Sequence, residues 1–357
     1  ALEPCSGSIV ITDVNNGEVL ALVTYPSYDN NKLANKIDPA YYSKLINDNT
    51  KPFNNRPLTE RTPPGSTFKM ATAVAALEEG VVTPNERIRD LGMFTKIKPS
   101  PRCHIHPSSH GLVDMPEALK VSCNYYFYEL GWRLSIDGSG RFNDQQGLKR
   151  IGKYVSDLGL GEKSGVELYE ADPQISDDDV VRSAIGQGTN AYTPLQLSSY
   201  VSTIANGGIN YKLTILDKTT DKDNNVITEN NSVIEKELSY VSPSTWASVQ
   251  RGMYEVANVQ RGSVYSLFRD LNIEIAGKTG TSQVSKFNPN NALFVSYAPY
   301  DEPEISVVVV VPNGHSSGNA AQIAKDVYKL YYNLEDKEQL LDEEASAPEH
   351  NIEAFSD

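Results

Sequence analysis

Strand-forming stretches sit at the two ends of this 357-residue chain and helix-forming stretches lie between them, an order that few folds accommodate. At the front, Ser8 to Asp13 alternates, Asn15-Asn16-Gly17 is a hairpin turn signal, and Glu18 to Tyr25 returns as a second strand. At the back, Ile273 to Val284, Ala292 to Ala298 and Ile305 to Val311 read as three more, the last almost unbroken in apolar residues. Helices are predicted from Ser66 to about Glu79, ended by Gly80, and over Pro116–Val121 and Tyr125–Leu134 on either side of a break. Others follow over Gly147–Leu158, Thr193–Ala205, Ser242–Val256 and Ala320–Tyr332. Two strands first and three last predict a mixed α/β fold, with the chain ends meeting in one sheet and an all-helical region inserted. Pro26–Thr62 and Tyr211–Glu235 are polar and read as surface excursions, the second with strand character, Asn85–His110 as irregular or short-stranded, and Asp137–Gln146 as a loop.

The length allows one large domain or two ordinary ones. No run approaches the ~18 apolar residues of a membrane span, and the first residues are no signal peptide. The chain starts as if cut into a strand, which predicts a piece of a longer protein. A net charge of −14 argues against a nucleic-acid partner. From Glu335 to Asp357, nine acidic residues face one lysine, so this tail is expected to be a mobile, solubilising end. Three cysteines, Cys5, Cys103 and Cys123, are no disulfide framework.

Three short segments carry chemistry: Ser66-Thr67-Phe68-Lys69, Ser122-Cys123-Asn124 and Lys278-Thr279-Gly280-Thr281, separated by gaps of about 50 and 150 residues. Ser66 follows Pro63-Pro64-Gly65 and opens a helix, whose unpaired N–H groups suit a nucleophile that creates an oxyanion. Lys69 is one turn along the same face, in reach of the Ser66 hydroxyl. A lysine acts as a base only when neutral, which burial or a nearby cation such as Lys278 arranges. Ser122 and Asn124, one residue apart at a helix break, can face one cleft, Ser122 to relay a proton and Asn124 to hold a substrate amide. Lys278 to Thr281 ends a β-rich run, and an edge strand there can pair with an extended peptide. Gly280 permits close backbone approach, and the N–H groups of Ser66 and Thr281 can form an oxyanion hole. Each segment alone is better read as ordinary structure: a capped helix, a helix break, a polar edge.

Together and in this order they resemble a class B penicillin-binding protein transpeptidase domain, over about Gly7 to Tyr332. The likeness extends to Asp13-Val-Asn-Asn-Gly17-Glu-Val-Leu-Ala21, Tyr25-Pro-Ser-Tyr28, Arg61-Thr-Pro-Pro-Gly65, His110-Gly111, Gly186-Gln-Gly188, Thr193-Pro-Leu-Gln196, Ala205-Asn-Gly-Gly208 and Pro312 to Lys325. The resemblance implies an antiparallel five-stranded sheet flanked by helices, built from residues 7–30 and 270–332 within a domain of residues 1–334, as in serine β-lactamases. It implies D,D-transpeptidation of peptidoglycan stem peptides, blocked by β-lactam antibiotics. Ser66 is then the nucleophile, Lys69 the base and Ser122 the proton shuttle. Lys278 and Thr279 hold the terminal carboxylate, with Thr281 contributing. It also implies a membrane anchor and pedestal domain outside this chain and a site at the outer face of the cytoplasmic membrane. A membrane glycosyltransferase of the wall-synthesis complex is the implied protein partner, and the elongation-type branch fits best.

The chemistry requires no cofactor, but Cys103-His104-Ile105-His106 and His110 crowd together, with three of the five histidines within seven residues. Thiolate and imidazole suit zinc. Some elongation-type members are similar here, which implies a structural zinc on Cys103, His110, Cys123 and Asp90, with His104 or His106 as substitutes. A Cys103–Cys123 disulfide and a free buried thiol stay open as alternatives. A β-lactamase or D,D-carboxypeptidase would hydrolyse the same acyl-enzyme, and a β-lactam sensor would only form it. Glu167 and Glu170 lie where a hydrolytic base could sit, without the Glu-x-x-x-Asn pattern of class A enzymes.

Overall fold

The computed structural model describes residues 6–282 and 289–335. Cys5, the Gln283–Val284 end of the expected third strand and the tail from Asp336 lie outside the described residues. Strands β1 (Gly7–Asp13), β2 (Val19–Tyr25), β3 (Ala276–Ser282), β4 (Asn291–Ala298) and β5 (Ile305–Val311) form one sheet in the order β2-β1-β5-β4-β3. Every neighbouring pair is antiparallel. The chain ends do meet: Val10 of β1 lies opposite Val308 of β5.

The apolar run of β5 follows from burial on both faces. Val308 and Val310 pack toward the helical region, while Ile305, Val307, Val309 and Val311 pack against helix α7 (Ser317–Tyr331). β3 is an edge strand and starts at Ala276 instead of Ile273. The residues before it bond elsewhere: Asn258 Nδ2 donates to Ile275 O at 2.7 Å, and Tyr300 N to Glu274 O at 3.0 Å.

The helical region comprises α1 (Lys69–Glu78), α2 (Met115–Lys120), α3 (Asn124–Leu134), α4 (Asp144–Val155), α5 (Pro194–Ala205) and α6 (Pro243–Asn258). Lys69 to Ala76 of α1 is buried on all sides, which explains its run of alanines in place of an amphipathic stripe. All of α5 is buried too. Its Ser198 and Ser202 bond to the sheet through Thr12 at 2.7 Å and Ser306 at 2.9 and 3.0 Å. α4 begins three residues before the expected Gly147 because Asn143 caps it, its side chain accepting from Gln146 N at 3.2 Å.

Pro26–Thr62 holds two short helices, Pro39–Ile46 and Arg56–Thr59, each with proline in its first turn. Within Tyr211–Glu235 an exposed hairpin pairs Lys218–Thr220 with Val226–Glu229. No helix among the described residues is long and apolar enough to cross a membrane.

Candidate active site

Ser66 sits in a 3-10 turn, Gly65–Phe68, that leads into α1, so the α-helix proper starts at Lys69 and not at the serine. The turn is fixed from below: Pro64 O accepts the Thr67 hydroxyl at 2.8 Å. It is also fixed by close packing on β3. Gly65 has φ +52, and a Cβ there would stand 2.6 Å from Thr281 O. A Cβ on Gly280 would stand 2.7 Å from Thr67 Cγ2 and 2.8 Å from Pro64 O. The close approach that Gly280 permits is thus to the protein's own Ser66 turn. Ser66 is 5 % exposed, and Lys69 and Lys278 are fully buried.

Ser122 follows α2 and takes a left-handed conformation, φ +54. This αL exit from a helix usually belongs to glycine or asparagine. Here it turns Ser122 toward the lysines. Lys69 Nζ donates to Ser122 O at 2.7 Å, Ser122 Oγ at 3.0 Å and Asn124 Oδ1 at 2.6 Å. Lys278 Nζ donates to the same Ser122 Oγ at 2.9 Å and to Thr279 O at 3.1 Å. One hydroxyl therefore bridges two buried amines from segments 209 residues apart in numbering, Lys69 and Lys278. Asn124 spends its amide oxygen on Lys69, so a substrate carbonyl would meet its Nδ2. The expected catalytic residues Ser66, Lys69, Ser122, Asn124 and Lys278 and the expected substrate-binding Thr279, Gly280 and Thr281 come from the α1 turn, the α2–α3 break and edge strand β3. Such a site can take a proton from a hydroxyl and hand one to a leaving amine.

Sequence reading missed Ser263, whose Oγ lies 3.1 Å from Thr279 Oγ1. Glu167 and Glu170 are engaged in structure instead of chemistry. Glu167 accepts from Thr214 Oγ1 at 2.7 Å, and Glu170 from Ser164 Oγ at 2.8 Å and Gln196 Nε2 at 2.9 Å.

Behind the Ser122 break, Asp90, Cys103, His110 and Cys123 bring one ligand atom each to within 4.8 Å of the others. Tetrahedral zinc, with bonds of ~2.3 Å to sulfur and ~2.05 Å to nitrogen, separates two sulfurs by about 3.8 Å and sulfur from nitrogen by about 3.5 Å. The Cys103 and Cys123 sulfurs are 3.9 Å apart and Cys103 Sγ is 3.5 Å from His110 Nδ1. Asp90 Oδ2 is 2.9 Å from His110 Nδ1 and 3.6 Å from Cys123 Sγ. The donor set and the sulfur spacings fit zinc, while Asp90 and His110 sit closer together than the ~3.3 Å of a tetrahedral pair and are hydrogen-bonded here. The two sulfurs, 3.9 Å apart, are not bonded to each other in this structure. His104 and His106 fall outside the group, the His104 ring lying tilted with its centroid 5.1 Å from that of His110. The Cys103 thiol is pulled far below its ordinary range by the Cys123 hydrogen bond and, against burial, by His104 and His110. Cys123 is pushed up by burial and by Cys103. Burial would depress His110, but Asp90 and Cys103 outweigh it and raise its pKa.

A family described as Penicillin binding protein transpeptidase domain matches residues 7–329. The chain is 30 % identical to the peptidoglycan D,D-transpeptidase MrdA of Haemophilus influenzae, across 93 % of this chain and 54 % of the relative. It superposes on M. tuberculosis penicillin-binding protein A in its penicillin G acyl-enzyme complex with a TM-score of 0.79 and 27 % identity, covering 92 % of this chain and 75 % of that one. It also superposes on PBP2 of Helicobacter pylori in its complex with MreC, TM-score 0.78 and 27 % identity, covering 92 % and 61 %. The chain spans about half the length of the curated MrdA relatives. A match of this extent, spanning all three motif segments, makes the chain a member of the penicillin-binding protein transpeptidase family.

Proposed function

We infer that this chain is the catalytic part of a peptidoglycan D,D-transpeptidase. The observation that carries the reading is the Ser122 hydroxyl held by Lys69 Nζ at 3.0 Å and by Lys278 Nζ at 2.9 Å, next to the Ser66 turn. Ser66 Oγ attacks the carbonyl of the penultimate D-Ala of a stem peptide, and Lys69 takes the Ser66 proton. Burial and the neighbouring Lys278 oppose charge on Lys69, against its three acceptors Ser122 O, Ser122 Oγ and Asn124 Oδ1, one of which it must release to act as a base. The peptide C–N bond breaks, and Ser122 returns a proton to the departing D-Ala nitrogen. The N–H groups of Ser66 and Thr281 stabilise the oxyanion, while Lys278 and Thr279 hold the terminal carboxylate. An acceptor amine from a second stem then attacks the acyl-enzyme and frees Ser66. A β-lactam acylates Ser66 in the same way and has no leaving fragment to depart.

Asp90, Cys103, His110 and Cys123 would hold a structural zinc that braces the Ser122 break. When bound there, such a metal would supply folding free energy and no catalytic step. Residues 1–334 are read as the transpeptidase domain. The intact protein would be anchored, with this domain at the outer face of the cytoplasmic membrane and a glycosyltransferase of the elongation machinery as partner. The complexed state of the H. pylori relative supports a partner-bound role.

Incubation of the protein with a donor peptide ending in D-Ala-D-Ala and an amine acceptor tests the reaction. A product lacking the terminal D-Ala and joined to the acceptor supports it. Hydrolysed donor alone would mean a carboxypeptidase, and no turnover of donor or penicillin adduct would mean a sensor.

A further inference from the structure

Thr279 needs its hydroxyl proton for a substrate carboxylate, because a carboxylate only accepts hydrogen bonds. What aims that proton is a residue outside the three segments. Ser263 Oγ lies 3.1 Å from Thr279 Oγ1. Lys278 Nζ lies 3.4 Å from the same oxygen, and an ammonium can only donate. A hydroxyl has one proton and two acceptor sites. Were Thr279 to donate to Ser263, nothing would remain for the cleft.

Ser263 is held firmly enough to decide this. It leaves α6 through a turn in which Gly262 N donates to Val259 O at 2.8 Å and Val264 N to Val256 O at 3.2 Å. Arg261 takes φ +71. A Cβ on Gly262 would stand 2.3 Å from Glu255 O, so the turn cannot slide past the helix end. Val264 is buried in the core under α7 and ties the next residue down.

We propose that Ser263 is a positioning residue, donating its hydroxyl proton to Thr279 Oγ1 so that the Thr279 proton stays directed at the terminal carboxylate of the donor peptide or β-lactam. The inference rests on the transpeptidase reading of the site. It makes Ser263 a determinant of preference for a carboxylate over a neutral group at that position.

The test compares benzylpenicillin with its methyl ester, following second-order acylation of Ser66 by intact-protein mass. Ser263→Ala, and Ser263→Gly as a second variant without the hydroxyl, are expected to lower the acid-to-ester ratio about tenfold with the melting temperature kept. Ser263→Thr, which restores a hydroxyl, should return the ratio to within about threefold. In a Thr279→Val background, removing the Ser263 hydroxyl should change nothing further. An unchanged ratio, an equal loss on acid and ester, or a further loss in the Thr279→Val background would overturn the proposal. If the unsubstituted protein forms no Ser66 adduct at all, the transpeptidase reading falls with it. An adduct with an unmoved ratio removes Ser263 alone.

Discussion

Ser122 carries two burdens, a hydroxyl that bridges Lys69 and Lys278 and a left-handed backbone that costs a non-glycine residue about 1 kcal/mol. The two separate experimentally. Ser122→Gly relieves the backbone and removes the bridge, so thermal unfolding should hold or rise slightly while penicillin acylation falls about 10²-fold or more. Ser122→Ala keeps the strain and loses the bridge, and should lose both. Equal acylation in Ser122→Gly and the unsubstituted protein would show the hydroxyl to be idle. At this scale the site was legible where the chemistry dictates residue type and spacing: Ser66, Lys69, Ser122, Asn124 and Lys278. Ser263 was invisible because a contact between two hydroxyls sixteen positions apart leaves no periodicity and no motif. Asp90 was found only through family likeness, since an aspartate thirteen residues ahead of Cys103 has no local signature.

Among the elements, β3 and the nucleophile turn are pressed together across Gly280. Gly280→Ala puts a methyl 2.7 Å from Thr67 Cγ2, and overpacking of this kind typically costs about 1–3 kcal/mol. Thermal melts should show that loss, with acylation slowed because the Ser66 turn is displaced. Between Asn85 and His110 only Ile88–Arg89 is a strand, paired with Leu112–Val113, and farther on Asp90, Cys103 and His110 converge with Cys123, which leaves no periodic signal in the sequence. Cys123→Ser, or a strong chelator on the intact protein, should lower melting temperature and acylation together, and native mass should lose one zinc. Unchanged melting would count against the metal. The pH dependence has a definite sign. His110 is raised by Asp90 and Cys103, so protons compete for its nitrogen at a higher pH than for a free imidazole, ~6.5. Zinc loading should therefore weaken on acidification before it would at an ordinary histidine, and recover as pH rises. Strand β5 was legible to the residue because burial on both faces leaves an uninterrupted apolar run. The start of α1 was not, since the 3-10 turn around Ser66 is imposed by β3 and Pro64.

Over the whole molecule, the candidate catalytic residues gather where the helical region meets the sheet, and the Pro26–Thr62 excursion ends inside the fold, with Leu58 in the core and Thr62 accepting from Asn291 Nδ2 at 2.8 Å. The hairpin of Lys218–Thr220 and Val226–Glu229 is exposed on every residue. Its base is closed by Asn230 N on Asp217 O at 2.8 Å and by Asn230 Nδ2 on Leu216 O at 2.7 Å. Replacing 218–229 with a short glycine turn should leave acylation within about twofold and shift melting little, since exposed loops contribute little to the core. A large loss would tie this excursion to the fold. The chain ends meeting in one sheet was readable because strand signals do not depend on what is inserted between them. The order β2-β1-β5-β4-β3 was not legible in the strands themselves, whereas the edge character of the Lys278–Thr281 run was read from its residues. The central claim is that Ser66 forms a lasting acyl-enzyme. Intact-protein mass spectrometry after benzylpenicillin should show one added penicillin, mapped to Ser66 and absent in Ser66→Ala. No adduct, an adduct elsewhere, or rapid return to the free mass with hydrolysed penicillin would contradict it.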